Sequence, residues 1–283
     1  MGFFSRKTTE KPKVENPEFV ALVEKWDGFL AKIKTRFFES LVNAEEALLD
    51  NLEESDYDIN PTMTAWQGIK AQLMALGNKV DTTFDEKVKP QMLQYKEHYD
   101  ILDQVAKGTF LRENVIHNGI ERFEIVLEGK VSIKFYNHAI TFLNKDFHCT
   151  QCSAKIEVRK DIFRTHYVSC DYCNTVNTFT PNDKISQIRW VVDNIAKHKA
   201  INEWDEKLKA ENELSELRSW SECQDITPYK IALKKQENAS RSFWLKYFTK
   251  RAEFLPEYQE TIEHDIDVKM KWFYEMRKRE YNY

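Results

Sequence analysis

Apolar residues recur at steps of three and four along most of this chain, and that spacing predicts helices. The first stripe runs Phe19, Val23, Trp26, Leu30, Ile33, Phe37, Leu41, Ala44, Leu48 and Leu52. It calls for a single long helix, ended by Ser55 to Asp58. Asn60-Pro61 restarts the chain as N-cap and first helical residue. Trp66, Leu73, Val80, Phe84, Met92, Tyr95 and Leu102 then hold helical phase straight through Pro90. The expectation is a kinked helix, or two helices nearly end to end, with Gly108 as the stop. A third run carries Ile116, Ile120, Phe123, Leu127, Val131, Phe135, Ala139 and Phe142. Gly119 and Gly129 weaken it, and the alternation of Val131, Ile133 and Phe135 permits a strand, but length and phase favour helix.

Helical spacing returns after residue 181. Thr180-Pro181-Asn182-Asp183 supplies an N-cap with an acidic first turn. Ile185, Ile188, Val192, Ile195, Trp204, Leu208, Leu214 and Leu217 describe one long helix or two short ones, to about Cys223. Asp225-Ile226-Thr227-Pro228 repeats the start signal for a helix to Phe254. Pro256 opens the last helix, striped by Tyr258, Ile262, Ile266, Met270, Phe273 and Met276.

Between Phe147 and Pro181 the period changes. Ala154 to Arg159 alternates with Ile156 and Val158 on one face, Lys160-Asp161 can turn, and His166-Tyr167-Val168 returns. Thr175 to Phe179 supplies a third strand. The same stretch holds four of the five cysteines as two pairs, Cys149/Cys152 and Cys170/Cys173, with seventeen residues between the pairs. Two residues between cysteines let one tight turn aim both sulfurs at a point, and two such turns supply the corners of a tetrahedron. The segment resembles a zinc ribbon, a module of two metal knuckles on a short sheet. The resemblance covers about 35 residues, and it implies Cys149, Cys152, Cys170 and Cys173 as ligands of a structural zinc ion, with iron as second choice. The commonest ribbon knuckle places Gly after its second Cys; here Ser153 and Asn174 stand there. Asn tolerates positive φ, so distortion is expected in the first knuckle only. A redox role for the CxxC pairs would call for a βαβ pattern, which the sequence lacks. His148 and His166 are read as exposed or supporting, since a fifth ligand is not needed.

Composition sharpens this picture. Charged residues make up 31% and Gly and Pro number only seven each, which favours long amphipathic helices over a β-rich fold. The fold expected is mainly α, an elongated antiparallel helical bundle with a small inserted β zinc ribbon. Its parts are a flexible leader (1–16), an N-terminal long-helix bundle (17–146), the ribbon (147–181) and C-terminal helices (182–283) packing on the bundle. A net charge of −4 raises no global field for nucleic acid or membrane. Unbridged cysteines and the lack of an apolar span point to the cytoplasm. Phe3 and Phe4 beside Arg6 and Lys7 offer a weak peripheral membrane contact through residues 1–7, below what stable anchoring takes.

Three constellations bear on function. Pro228 to Arg251 carries Lys230, Lys234, Lys235, Arg241, Lys246, Lys250 and Arg251 against one acid, Glu237, with Phe243, Trp244, Tyr247 and Phe248 interleaved. Alone this resembles a phosphate-binding helix. Residues 252–268 carry six acids and no Lys or Arg, so internal pairing is the simpler reading. Glu113, His117 and Glu121 are spaced four apart, as are Glu260 and His264, but di-iron bundles place Glu three before His, where Asn114 and Thr261 stand. The chain shows no HExxH, P-loop, GxGxxG or GxSxG. The expectation is a non-catalytic zinc-binding scaffold or adaptor with a protein partner. Two alternatives stand beside it: a nucleic-acid-associated factor using the ribbon and the 228–251 helix, and an enzyme with a site at the bundle-ribbon junction.

Overall fold

In the computed structural model, residues 16–97, 101–144, 147–158, 162–218 and 227–280 are described. The leader through residue 15, where the weak membrane contact of residues 1–7 is expected, the Lys160-Asp161 turn and Cys223 lie outside them. The chain is mainly α, a helical bundle with one small two-stranded antiparallel insert. It divides into two units, Met1–Leu48 with Met63–Glu121, and Leu49–Thr62 with Arg122–Tyr283.

Helix α1 (Pro17–Glu54) is the single helix that its stripe predicts. Phe19, Trp26, Ile33, Phe37, Leu41, Ala44, Leu48 and Leu52 are all buried. Asp56 and Tyr57 take φ of 52° and 61° and turn the chain. Helix α2 (Ile59–Thr83) starts one residue before the expected N-cap, and the capping side chain is Asp58, which accepts from the Asn60 amide at 3.0 Å.

Pro90 disturbs the next stretch of helix. Lacking an amide hydrogen, it leaves the carbonyl four residues back unpaired, and the helix adjusts its register just before it. Phe84–Val88 is a π turn, closed by the Lys89 amide donating to the Phe84 carbonyl, and α3 (Lys89–Met92) carries Pro90 in its first turn. The helix ends in turns after Met92, and α4 (Leu102–Phe110) begins anew. Gly108 therefore does not stop a helix. It lies inside α4, where a Cβ would come within 3.2 Å of the Trp26 ring. A second π segment, Leu111–His117, joins α4 to α5 (Asn118–Ala139), and Ile140–Asn144 comes after it as a 3-10 turn. The region from 130 to 144 is thus helical, as its length and phase favour.

The second unit frames the insert. Strands β1 (His166–Ser169) and β2 (Val176–Phe179) pair antiparallel, His166 opposite Phe179 and Ser169 opposite Val176. The alternating segment from Ala154 forms no strand among the described residues. It contributes one bridge, Lys155 to His148. The chain leaves through α6 (Asp183–Ser186), capped by Asn182, whose side-chain oxygen accepts from the Lys184 amide at 2.9 Å. Helices α7 (Ile188–Lys199), α8 (Ile201–Arg218), α9 (Thr227–Ala252) and α10 (Ile262–Glu280) complete the unit; Pro256–Thr261 before α10 is a 3-10 turn.

A cluster of Phe135, Ala139, Ile185, Ile188, Val191, Val192 and Leu255 forms the core beside the insert, and Phe163 packs against it. The Arg189 guanidinium lies 5.7 Å above the Phe163 ring. At the exit, Lys184 pairs with Asp56 at 2.7 Å and approaches His138 Nε2 at 3.1 Å. The Lys184 ammonium, through hydrogen bond and charge, holds the Asp56 carboxyl below its usual range. The insert is therefore tied to the helices at both its loop and its exit. None of the described helices is long and apolar enough to cross a membrane.

Candidate metal centre

The structure brings together all four cysteines that the spacing singles out. Their sulfurs lie within 4.8 Å of one another. Cys149 Sγ is 3.5 Å from Cys173 Sγ, and Cys152 Sγ is 3.6 Å from Cys170 Sγ. A disulfide needs about 2.05 Å. A tetrahedron of thiolates with bonds of about 2.3 Å has edges near 3.8 Å. The sulfurs therefore sit at the spacing of shared ligands, and the group can hold a metal ion.

The two knuckles are built alike. The Cys149 amide donates to the Ala154 carbonyl at 2.8 Å, and the Cys170 amide to Thr175 at 2.9 Å. Ser153 and Asn174 donate back to the Cys149 and Cys170 carbonyls at 3.0 and 2.9 Å, and both take φ of 57°. The first knuckle is thus not distorted. Ser153 adopts the left-handed conformation that Gly would take there, at a cost of about 1–2 kcal/mol, because the turn needs that backbone to aim both sulfurs inward.

Sulfur chemistry in this arrangement favours a cation. The amides of Cys152 and Gln151 point at Cys149 Sγ and hold its thiol down to about 6. The hydroxyl and amide of Thr175 likewise lower Cys173. Cys152 goes the other way: the Ala154 amide favours its thiolate, but the crowded Cys173 sulfur, burial and the remaining sulfurs push it up to about 12. Four thiolates this close cannot all ionise unless a positive ion sits among them. Uptake of a divalent metal therefore displaces a proton from Cys152 and is opposed by acid.

Asn177, 2% exposed, braces the site, and sequence reasoning passed over it as a strand residue. Its side-chain oxygen accepts from the amide and hydroxyl of Thr150, both at 2.9 Å. Its side-chain nitrogen donates to the Thr175 carbonyl at 2.9 Å and lies 3.6 Å from Cys149 Sγ. It links both knuckles through one side chain. The signal was an amide on the inward face of a strand whose other inward residue, Phe179, is apolar. Asn177→Ala should lower metal affinity by about 10- to 100-fold, read by competition with a chromophoric chelator. Unchanged affinity would reduce Asn177 to a strand filler.

The other candidate ligands fall elsewhere. His148 is exposed, and His166 Nδ1 lies 2.9 Å from the Arg164 carbonyl. His117 Nδ1 pairs with Glu113 Oε2 at 2.9 Å, one turn away on the same segment. Among the described residues no other group of three or more His, Cys, Asp or Glu side chains is placed to hold a metal. The basic 228–251 segment is met largely by acids. Arg241 pairs with Glu263 and Asp267 on α10, as expected, whereas Arg251 pairs with Asp193 and Lys235 with Glu213, on α7 and α8.

No family model, curated protein or solved structure matches the chain.

Proposed function

We propose that this chain is a non-catalytic scaffold whose metal is a structural zinc ion and whose ribbon docks another protein. A shell of four thiolates leaves no open coordination position for a substrate, and an all-sulfur tetrahedron suits zinc ahead of iron.

The observation that carries the docking role is the outward face of the ribbon. Tyr167 and Val176 share that face as diagonal neighbours across the β1–β2 pair, within side-chain reach of each other. They are 78% and 60% exposed, and Tyr172, in the turn of the second knuckle, is 81% exposed. Tyrosines on a rigid support are the side chains that protein interfaces favour, since they bury much area and lose little rotamer freedom. Against the nucleic-acid reading, residues 145–189 carry seven Lys and Arg against five Asp and Glu, an excess that a zinc ion with four thiolates would cancel, and the 228–251 cations are largely engaged by acids, so little remains to neutralise phosphates.

The test compares pull-downs from native extract by the full chain and by a Tyr167→Ala/Tyr172→Ala/Val176→Ser variant of equal metal content. The scaffold reading expects a protein captured by the parent and lost from the variant. Equal capture by both, or a gel shift with a steep salt slope, would overturn it.

A further inference from the structure

The cleft among α7, α8, α9 and α10 is remote in sequence from the cysteines and has a volume of about 590 Å³. That size suits a small molecule. Its floor is made of rings: Trp204 and Phe243 are buried, and Trp244 and Tyr247 are half-buried. Trp244 meets Phe243 at 4.8 Å with an interplanar angle of 62°, and Tyr247 at 5.7 Å with 89°. Trp244 also lies near-parallel to Phe248 at 5.9 Å and 29°, and the part of Trp244 and Tyr247 that stays uncovered lines the cleft. The Lys269 ammonium stands 4.9 Å above the Trp244 ring.

The charges of the lining are unequal. Lys197, Lys207, Arg251 and Lys269 face two carboxylates, Asp193 and Asp265. Arg251 is engaged by Asp193 at 2.8 Å and lies 3.9 Å above the Tyr258 ring, and Lys207 is engaged by Glu211 at 2.8 Å. Asp265 accepts from Thr261 at 2.9 Å. Lys197 and Lys269 have no ion-pair partner among the described residues. Burial, with the Asp193 carboxylate beside it, raises Tyr247 above the usual phenol range, so its hydroxyl stays neutral and adds no negative charge.

We propose that this cleft binds a small planar aromatic anion, its ring on Trp244 and Tyr247 and its charged group held by Lys197 and Lys269. Stacking on the rings supplies the contact area, and two ammoniums without a carboxylate partner, Lys197 and the Lys269 that stands over Trp244, select for the charge. Neither half of such a ligand satisfies both parts of the lining.

The experiment titrates the full chain with 1-naphthyl phosphate by calorimetry, with 1-naphthol and inorganic phosphate as its two halves. One phosphate ester should bind per chain, at least about tenfold tighter than either half. Lys197→Gln with Lys269→Gln should weaken it by about tenfold or more while leaving 1-naphthol binding and helical circular dichroism unchanged. Trp244→Leu should remove binding of both aromatic probes. Cys170→Ser should retain it, so a failed ribbon and a failed cleft are told apart. Equal binding of ester and naphthol, parent-like affinity of the folded double Lys variant, or no saturable heat for the ester would each overturn the proposal.

Discussion

Cys170→Ser is expected to leave the chain without stoichiometric metal and the ribbon unfolded, with most helical circular dichroism intact. Few side chains could hold the ribbon otherwise: its buried cluster is Cys149, Ile156 and Cys170, with only partly buried Phe147, Ala154, Val168 and Cys173 packed against it, and two of the three buried members belong to the candidate metal site. Burying one Ile supplies roughly 2–3 kcal/mol, whereas ordering each residue costs about 1–2 kcal/mol. Two four-residue strands do not close that gap, since an isolated hairpin is marginal in water. Structural zinc supplies about 10–16 kcal/mol in small sites, and that free energy is the folding free energy. Serine keeps the shape of Cys170 and removes only the soft thiolate. The helices should survive because their core beside the ribbon is their own: Phe163 is the insert's side chain in that cluster. Elemental analysis reads the metal, far-ultraviolet dichroism the helices, and the tyrosine resonances of Tyr167 and Tyr172 the ribbon. Parallel loss of the helical signal would mean that the insert belongs to the helical core, and full metal content in the variant would remove Cys170 from the ligand set.

How far the chain can be read depends on the range of each signal. The stripe of α1 is legible because burial on one face of a helix imposes a local period, and eight of its ten positions are indeed buried. The cysteine set is legible because a tetrahedral shell constrains spacing within each knuckle. Pro90 announced a disturbance but not its form. Its missing amide was absorbed by the π turn at Phe84–Val88, while the break itself fell after Met92, where no Gly or Pro marks it. Asn177 and the outward face of the ribbon were hidden for another reason. Which strands pair, and so which side chains share a face, depends on contacts across the knuckles, and the alternating Ala154 segment forms a single bridge instead of a strand.

Glycine is the sharpest case of one residue type with two meanings. Gly119 and Gly129 read as weakening α5, and Gly108 as ending a helix, because an isolated sequence shows only the conformational penalty. In the structure each marks a close approach: Gly108 lies against Trp26, Gly119 beneath the Phe37 ring, and Gly129 against His198. What reads as a poor helix former is a position where a side chain would not fit.

Gly129→Ala should therefore destabilise the protein, against the sense of helix propensity. Alanine favours the interior of α5 by about 1 kcal/mol. At Gly129, however, a Cβ would overlap the Cβ and Cγ of His198 on α7. A flexible tip could swing aside, but these atoms are fixed to the α7 backbone, so the helix itself must shift. Such a shift opens the packing of Ile188, Val191 and Val192 on Phe135 and Ala139. Overpacking that moves backbone costs about 1–3 kcal/mol, and with the added Cβ overlapping the His198 Cβ the upper end applies, so the loss should outweigh the propensity gain by roughly 2 kcal/mol. For a chain of this size that lowers the thermal midpoint by about 4–8 °C. Gly28→Ala and Gly68→Ala are the matched controls, on α1 and α2, where nothing lies within 4 Å of an added Cβ. Each should raise stability by about 0.4–1 kcal/mol. Thermal unfolding of the three variants side by side separates the two effects by sign, and a Gly129→Ala protein as stable as the controls would show that α5 and α7 do not approach closely at this point.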